Sequence, residues 1–243
     1  MQALNWSLIV PMANEETEFS HFVQAVQAVL NQLKSGKVYL VVDTVSKDKT
    51  LELCQNLSHQ DSRFTTIWAP ENKNVVDAYM RGYKEAYQNK HDYIIEMDAG
   101  MSHNPDRLPD FLANLQSGYD CVFGSRFIAG GSMGDSTFFR RTLSSTGTHL
   151  SNVLLGSKLK DMTSGYQGFK RETVGQLLNY QLLSKAHFYQ TEVRYLLRKK
   201  KQIEIPIHYQ APSPSVSKKA IVNSLEVLLH YFKMRVLGNA ISL

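Results

Sequence analysis

The stretch MDAGMSH at residues 97–103 delivers one carboxylate, Asp98, from the end of an apolar run into a turn. It looks like a metal-binding D-x-D loop in which Gly100 stands where the second carboxylate would be. Hard cations such as Mg²⁺ take oxygen ligands and keep several waters, so a single aspartate can still hold one when a bound ligand supplies further oxygens. Asp98 is therefore the expected metal ligand, with Ser102 or His103 of the same loop as additional contacts. Asp43 follows the apolar VYLVV (38–42), and Arg126 follows DCVFGS (120–125). Asp161 opens DMTSG, and Glu192 ends SKAHFYQTE. Carboxylates can bind metal or take a proton, and an arginine can offset developing negative charge. Each residue also has an ordinary alternative. Asp98, His103 and Asp161 could serve turns, and Glu192 could be a solvated helix charge.

The elements that position these residues alternate in type. WSLIVPM (6–12), VYLVV (38–42), FTTIWA (64–69), YIIEM (93–97) and DCVFGS (120–125) read as buried strands. Between them, apolar residues at spacings of three and four predict helices over 19–33, 50–57, 75–88 and 105–115. Residues 126–170 read as long loops around one helix (143–155), IEIPIHY (203–209) as a late strand, and 211–219 as a flexible polar loop. Such alternation predicts an α/β fold, a mostly parallel sheet flanked by helices. Ligands bind beyond the carboxyl ends of such strands, where Asp43, Asp98 and Arg126 all fall. The chain should end in an amphipathic helix over 220–237, with Ile221, Leu225, Leu228, Leu229, Phe232 and Val236 on one face and basic residues around it. That helix suits packing on the core or lying in a membrane interface. The domain division expected is 1–218 and 219–243.

Composition narrows the classes further. With 243 residues, 43% hydrophobic and 20% charged, the chain can bury a large core without staples. The two cysteines, Cys54 and Cys121, sit in apolar runs and are expected to be reduced thiols of a cytoplasmic protein. The N-terminus lacks the pattern of a signal peptide, and no run reaches the roughly 20 apolar residues of a membrane span. The net charge of +5 is uneven, with RKKK at 198–201 and more basic residues from Lys218 to Arg235. Anionic membrane or phosphorylated substrates fit that bias. Nucleic acid does not, since no zinc finger, RNA-recognition motif or helix-turn-helix is visible. GGSMG (130–134) does not fit the dinucleotide-binding fingerprint after a first strand.

PMANEE (11–16), VVDTVSKDKT (41–50), MDAGMSH (97–103), FGSRF (123–127), DMTSGYQGFKRE (161–172) and SKAHFYQTE (184–192) follow one another as the segments of a family 2 glycosyltransferase do. The chain most resembles the branch of dolichol- and polyprenyl-phosphate mannose synthases. That resemblance implies a GT-A fold, a nucleoside diphosphate sugar donor (GDP- or UDP-linked), a divalent Mg²⁺ or Mn²⁺ ion and inversion at the transferred carbon. By the same resemblance, Pro11, Glu15 and Asp43 would line the nucleoside, Asp98 and Ala99 the D-x-D loop, and Arg126 and Lys218 the donor phosphates. Arg140, Arg141, Ser164 and Gln190 would face the acceptor. Arg126, Asp161 and Glu192 would be catalytic, either carboxylate acting as base where the acceptor is a hydroxyl.

The departures from the family pattern fall at Gly100, at Thr44 in place of a second aspartate, at Ala13 in place of a tyrosine and at Ser145 in place of an acceptor arginine. The favoured acceptor is a polyprenyl phosphate, handled in the cytoplasm or at the cytoplasmic face of a membrane. The alternatives are a glycan hydroxyl acceptor in surface polysaccharide synthesis, a degenerate nucleotide-sugar-binding protein without turnover, and a nucleotidyltransferase. The last would want two metal carboxylates and an N-terminal glycine-rich loop, and the sequence has neither.

Overall fold

A computed structural model describes residues 4–134, 136–210 and 217–243, apart from the side chains of Phe139 and Arg140. The polar loop expected over 211–219 lies mostly outside the described residues. The strands are β1 (Trp6–Met12), β2 (Lys37–Val42), β3 (Phe64–Trp68), β4 (Tyr93–Glu96), β5 (Cys121–Ser125), β6 (Gln167–Lys170) and β7 (Gln202–Pro206). They form one seven-stranded sheet in the order β3-β2-β1-β4-β6-β5-β7. All pairings are parallel except those of β6, which runs antiparallel to both β4 and β5. The α/β expectation holds, with one reversed strand inserted.

The helices are α1 (Phe19–Leu33), α2 (Thr50–Gln60), α3 (Val75–Gln88), α4 (Leu108–Gln116, after a 3-10 turn at Pro105–Arg107), α5 (Phe138–Leu155), α6 (Arg171–Leu178), α7 (Tyr189–Leu196) and α8 (Lys218–Val236). Period-two alternation in the strands divides the core between two layers. Leu8, Val10, Val38 and Leu40 face α1 and α4, whereas Ile9, Tyr39 and Val41 face α3 and α7. Both faces are covered, which is why these strands read as unbroken apolar runs. Gly82 lets α3 approach β1 closely, since a Cβ there would lie 2.1 Å from the Ile9 methyl.

Helix α8 packs on the domain, but not through the expected stripe: of Ile221, Leu225, Leu228, Leu229, Phe232 and Val236 only Leu228 is buried. Val227, Leu228 and Tyr231 join Leu155 of α5 and Tyr195 and Leu196 of α7 in a third cluster. Its other face leaves Ile221, Val222, Leu225, Leu229 and Val236 exposed, beside Leu143, Leu150 and Val153 of α5. None of the described helices is long and apolar enough to cross a membrane. Cys54 and Cys121 are buried free thiols.

Candidate active site

Beyond the ends of β4 and β5 lies a cavity of about 330 Å³. Its polar end is built by the buried His103, Arg126, Gln190 and Thr191 with the partly exposed Asp98 and Thr163. Its other end is the gap between α5 and α8, where Leu143, Leu150, Ile221 and Leu225 are each exposed by two-fifths or more.

Asp98 leaves β4 into a turn where Gly100 (φ +69°) and Met101 (φ +59°) both adopt the left-handed region. Tyr79 of α3 donates a hydrogen bond of 2.5 Å to its Oδ1, and His103 Nε2 stands 3.5 Å from Oδ2. Burial alone would raise the Asp98 carboxyl. Hydrogen bonding and charge from His103, with His187 and Tyr79, outweigh it and hold the group well below the usual carboxylate range. Asp98 is thus a standing anion, which the metal role expected of it requires. Behind it, Glu96 is fully buried, receiving the hydroxyls of Tyr83 and Tyr189 and the Gln167 amide at 2.6 Å. Burial pushes the Glu96 carboxyl up to about 7 despite those bonds.

Arg126 and Asp161 form one buried unit. The Arg126 Nε reaches Asp161 Oδ2 at 2.7 Å and Nη2 reaches Oδ1 at 2.8 Å, while the backbone N–H groups of Arg126 and Thr163 also donate to this carboxylate. Burial opposes the charge, but Arg126 holds the Asp161 carboxyl well below its usual range. The Asp161–Ser164 loop is clamped from behind by Arg194, which donates to the carbonyls of Asp161 and Ser164. The Arg126 Nη1 donates to no described residue, and Arg126 lines the cavity.

A second, smaller cavity of about 80 Å³ is lined by Pro11, Met12, Ala13, Val41, Asp43, Val45, Val75 and Ala78. Asp43 accepts from the Val45 N–H through Oδ1 at 2.9 Å, forming an Asx turn. Next to this slot the Asn14–Glu16 segment is tied to the start of α2. Asn14 N–H donates to Ser46 Oγ (3.1 Å), Glu15 N–H to Thr50 Oγ1 (2.8 Å) and Glu16 N–H to Asp48 Oδ2 (3.0 Å). Burial, aided by the charges of Asp98, Asp48 and Glu18, pushes the Glu15 carboxyl up to about 7.

The glycosyl transferase family 2 profile matches residues 7–178. The chain belongs to glycosyltransferase family 2. Among curated relatives, this glycosyltransferase is 28% identical over 224 residues to the polyprenol monophosphomannose synthase of Mycolicibacterium smegmatis, covering 91% of this chain and 83% of that one. It is 26% identical over 206 residues to the undecaprenyl-phosphate mannosyltransferase of Micrococcus luteus, covering 83% and 82%. The fold also matches glucosyl-3-phosphoglycerate synthase of Mycobacterium tuberculosis, solved with Mn²⁺ and UDP-glucose. There the TM-score is 0.67 at 14% identity, with 97% of this chain and 79% of that chain covered. The fold is GT-A.

Placement of the expected site residues is uneven in this glycosyltransferase. Asp98, His103, Arg126 and Gln190 share the larger cavity, whereas Pro11 and Asp43 line the smaller one. The three strand-end residues therefore do not meet in one pocket. α3 borders both, giving Val75 and Ala78 to one and the Tyr79 hydroxyl to Asp98. Glu15 lines neither cavity. Ala99 packs against the core, and Ser102 is buried with its hydroxyl 3.5 Å from the Ala99 carbonyl.

The geometry corrects several roles. Asp161 is no general base, because both its oxygens are spent on Arg126 and the backbone. Nor is Glu192, which is fully buried and accepts from the N–H groups of Leu183 and Ser184 and from the Tyr231 hydroxyl. It locks the 183–184 turn to α8. Ser164 is buried and lines no cavity, while its neighbours Thr163 and Gly165 do. Arg141 spends its guanidinium on the Met133 and Gly134 carbonyls, and Lys218 is exposed on the first turn of α8, away from the lining. The Arg140 side chain lies outside the described residues. Tyr79, His187, Thr191 and Tyr209 belong to the site without having been singled out in the sequence. His187 and Thr191 lie within the 184–192 segment, but nothing in Tyr79's helical spacing marks it as more than core.

The residues around Asp98 fit a divalent ion. Its carboxylate is held anionic, and His103, 1% exposed, turns Nε2 to Asp98 Oδ2 at 3.5 Å and leaves Nδ1 without a partner. Among the described residues no cluster of three or more His, Cys, Asp or Glu could hold a metal by itself. Ligand oxygens would have to complete the shell.

Proposed function

We propose that this family 2 glycosyltransferase moves a hexose from a nucleoside diphosphate sugar, GDP- or UDP-linked, to a polyprenyl phosphate. The supporting observation is the polarity gradient of the larger cavity. Arg126, His103 and Gln190 sit at its buried end, and Leu143, Leu150, Ile221 and Leu225 at its exposed end. A phosphate carried on a long hydrocarbon needs both. The names of the relatives from M. smegmatis and M. luteus point the same way.

The absence of an available base fits this acceptor. Among the described lining residues the sole carboxylate is Asp98, and Asp161 and Glu192 are fully engaged elsewhere. An acceptor phosphate oxygen is already anionic at neutral pH, so no proton has to be removed from it. That oxygen attacks the anomeric carbon, the bond to the donor diphosphate breaks with inversion, and the nucleoside diphosphate leaves with the electron pair. Bound Mg²⁺ or Mn²⁺, held by Asp98 and the donor diphosphate, would neutralise the charge growing on the leaving group. Arg126, aimed by Asp161, does the same from the protein side. Asp43 and Pro11, in the smaller cavity, would take the nucleoside.

The exposed apolar residues of α5 and α8, with Lys218, Lys219 and Lys233 nearby in α8, would rest on an anionic membrane surface at its cytoplasmic face. Residues 219–243 are then part of one GT-A unit, packed through Tyr231 and facing lipid on the other side.

A panel of GDP-, UDP- and TDP-sugars, with and without Mn²⁺, tests the donor half by thermal shift and diphosphate release. Stabilisation by one donor, with transfer on adding a short polyprenyl phosphate, is expected. Binding without any turnover would favour the degenerate reading, and no binding to any donor would overturn the proposal.

A further inference from the structure

We infer that Glu15 supplies the second protein carboxylate for the divalent ion, taking the part an aspartate at position 100 would play. The inference rests on the transferase reading of the site. It starts from a collision. A Cβ built on Gly100 would lie 3.0 Å from Glu15 Oε2, so the Glu15 carboxylate stands where a side chain at 100 would project. The glycine and the glutamate answer each other: one removes the carboxylate from the loop, and the other brings one in from beyond the carboxyl end of the neighbouring parallel strand β1.

Glu15 is held there by its backbone. The Ser46, Asp48 and Thr50 side chains receive the N–H groups of Asn14, Glu16 and Glu15, and Asn14 Oδ1 accepts from Lys47 N–H at 2.8 Å. The Glu15 carboxylate itself accepts no hydrogen bond from a described residue. A partly buried carboxylate next to Asp98, without a donor, is an expensive arrangement unless something positive binds between them. Independently, His103 is 1% exposed and lines the larger cavity at Asp98, with Nδ1 unpartnered and Nε2 facing Asp98 Oδ2 at 3.5 Å. Asp98 is pressed against Gly165, where a Cβ would come within 2.6 Å of Oδ2, so the loop has room for the carboxylate and for nothing else on that side. Glu15 lines neither cavity, so its placement rests on the approach to Gly100, and the nucleoside role that the family resemblance implies is the competing outcome of the test.

The test is Mn²⁺ binding, followed by the EPR signal of the free ion, with GDP or UDP present in parallel samples. The proteins compared are wild type, Glu15→Gln, Asp98→Asn, Gly100→Asp and the double variant Glu15→Ala/Gly100→Asp. Metal-free nucleotide binding is measured on each by calorimetry. Glu15→Gln, which keeps the shape, should weaken Mn²⁺ at least about tenfold, as loss of a ligand does, and leave metal-free nucleotide affinity unchanged. Gly100→Asp alone should also weaken Mn²⁺, because two carboxylates would compete for one place. The double variant should regain most of the affinity, since aspartate tolerates the left-handed region better than most residues. Retained Mn²⁺ affinity in Glu15→Gln, with Asp98→Asn defective, would overturn the inference and spare the transferase reading. A loss of metal-free nucleotide affinity in Glu15→Gln would return the residue to the nucleoside. Failure of the wild type to bind Mn²⁺ with either nucleotide would overturn both.

Discussion

Replacing Asp161 with asparagine separates a positioning carboxylate from a catalytic base. The Arg126 and Asp161 side chains are 3% and 0% exposed, and the carboxylate accepts from Nε at 2.7 Å, from Nη2 at 2.8 Å and from two backbone N–H groups at 3.0 Å. The amide keeps one acceptor oxygen but turns an NH₂ group toward a buried guanidinium. Stranding one member of a buried pair costs about 3–5 kcal/mol. Against a total stability of about 5–15 kcal/mol, and a urea slope of about 2–3 kcal/mol/M, the midpoint should fall by on the order of 1–2 M. Because Arg126 holds the Asp161 carboxyl below its ordinary range, this stabilisation is fully present above that range and is lost only in strong acid. The deficit should therefore be the same at pH 5 and at pH 8. Urea unfolding followed by far-ultraviolet circular dichroism measures it, and Arg126→Met/Asp161→Leu should recover part of it by removing both charges. A large fall in kcat with an unchanged urea midpoint would refute this reasoning and restore Asp161 as the base.

Glu192→Gln should cost about 1–3 kcal/mol, because a buried acceptor of two N–H groups and the Tyr231 hydroxyl is weakened. Faster hydrogen exchange in α8 should report it, without a new limb in the pH–rate profile. Glu96 holds its proton more tightly folded than unfolded, at about 7 against 4.5, so its contribution is present below pH 4.5 and is lost as pH rises through 7. Glu96→Gln should flatten the fall in stability between pH 5 and pH 8 by about 3 kcal/mol, measured by chemical unfolding at both values. Leu225→Glu, on the exposed lip of the larger cavity, should raise KM for polyprenyl phosphate and reduce flotation with anionic vesicles, leaving donor binding intact.

The parallel half of the fold is legible in the sequence because its strands are covered on both faces and its helices keep a strict apolar stripe. β6 is not, since Gln167–Lys170 is short and mixed, and its Gln167 is buried by a hydrogen bond to Glu96 that pattern alone does not reveal. Helix α5 starts at Phe138, five residues before its apolar stripe makes it visible at Leu143, because Phe138 is exposed and Arg140 and Arg141 interrupt the pattern. In the candidate site, strand-end position marks Asp98, Asp43 and Arg126, and each of them lines a cavity. It could not tell that Asp43 faces a different cavity from the other two. Charge was read as chemistry in Asp161 and Glu192, yet both are consumed by buried hydrogen bonds set by distant partners, Arg126 and Tyr231. Tyr79 escaped for the opposite reason: it occupies a core position on α3, and only its hydroxyl reaches the site.

The central claim is that an acceptor phosphate, needing no base, is read at the buried end of the α5–α8 cavity. Initial rates with a short polyprenyl phosphate and with the same polyprenol lacking phosphate, under one donor and one Mn²⁺ concentration, test it most directly. A sugar-phosphate-linked lipid from the first and no product from the second is predicted; equal transfer to the free alcohol would contradict it.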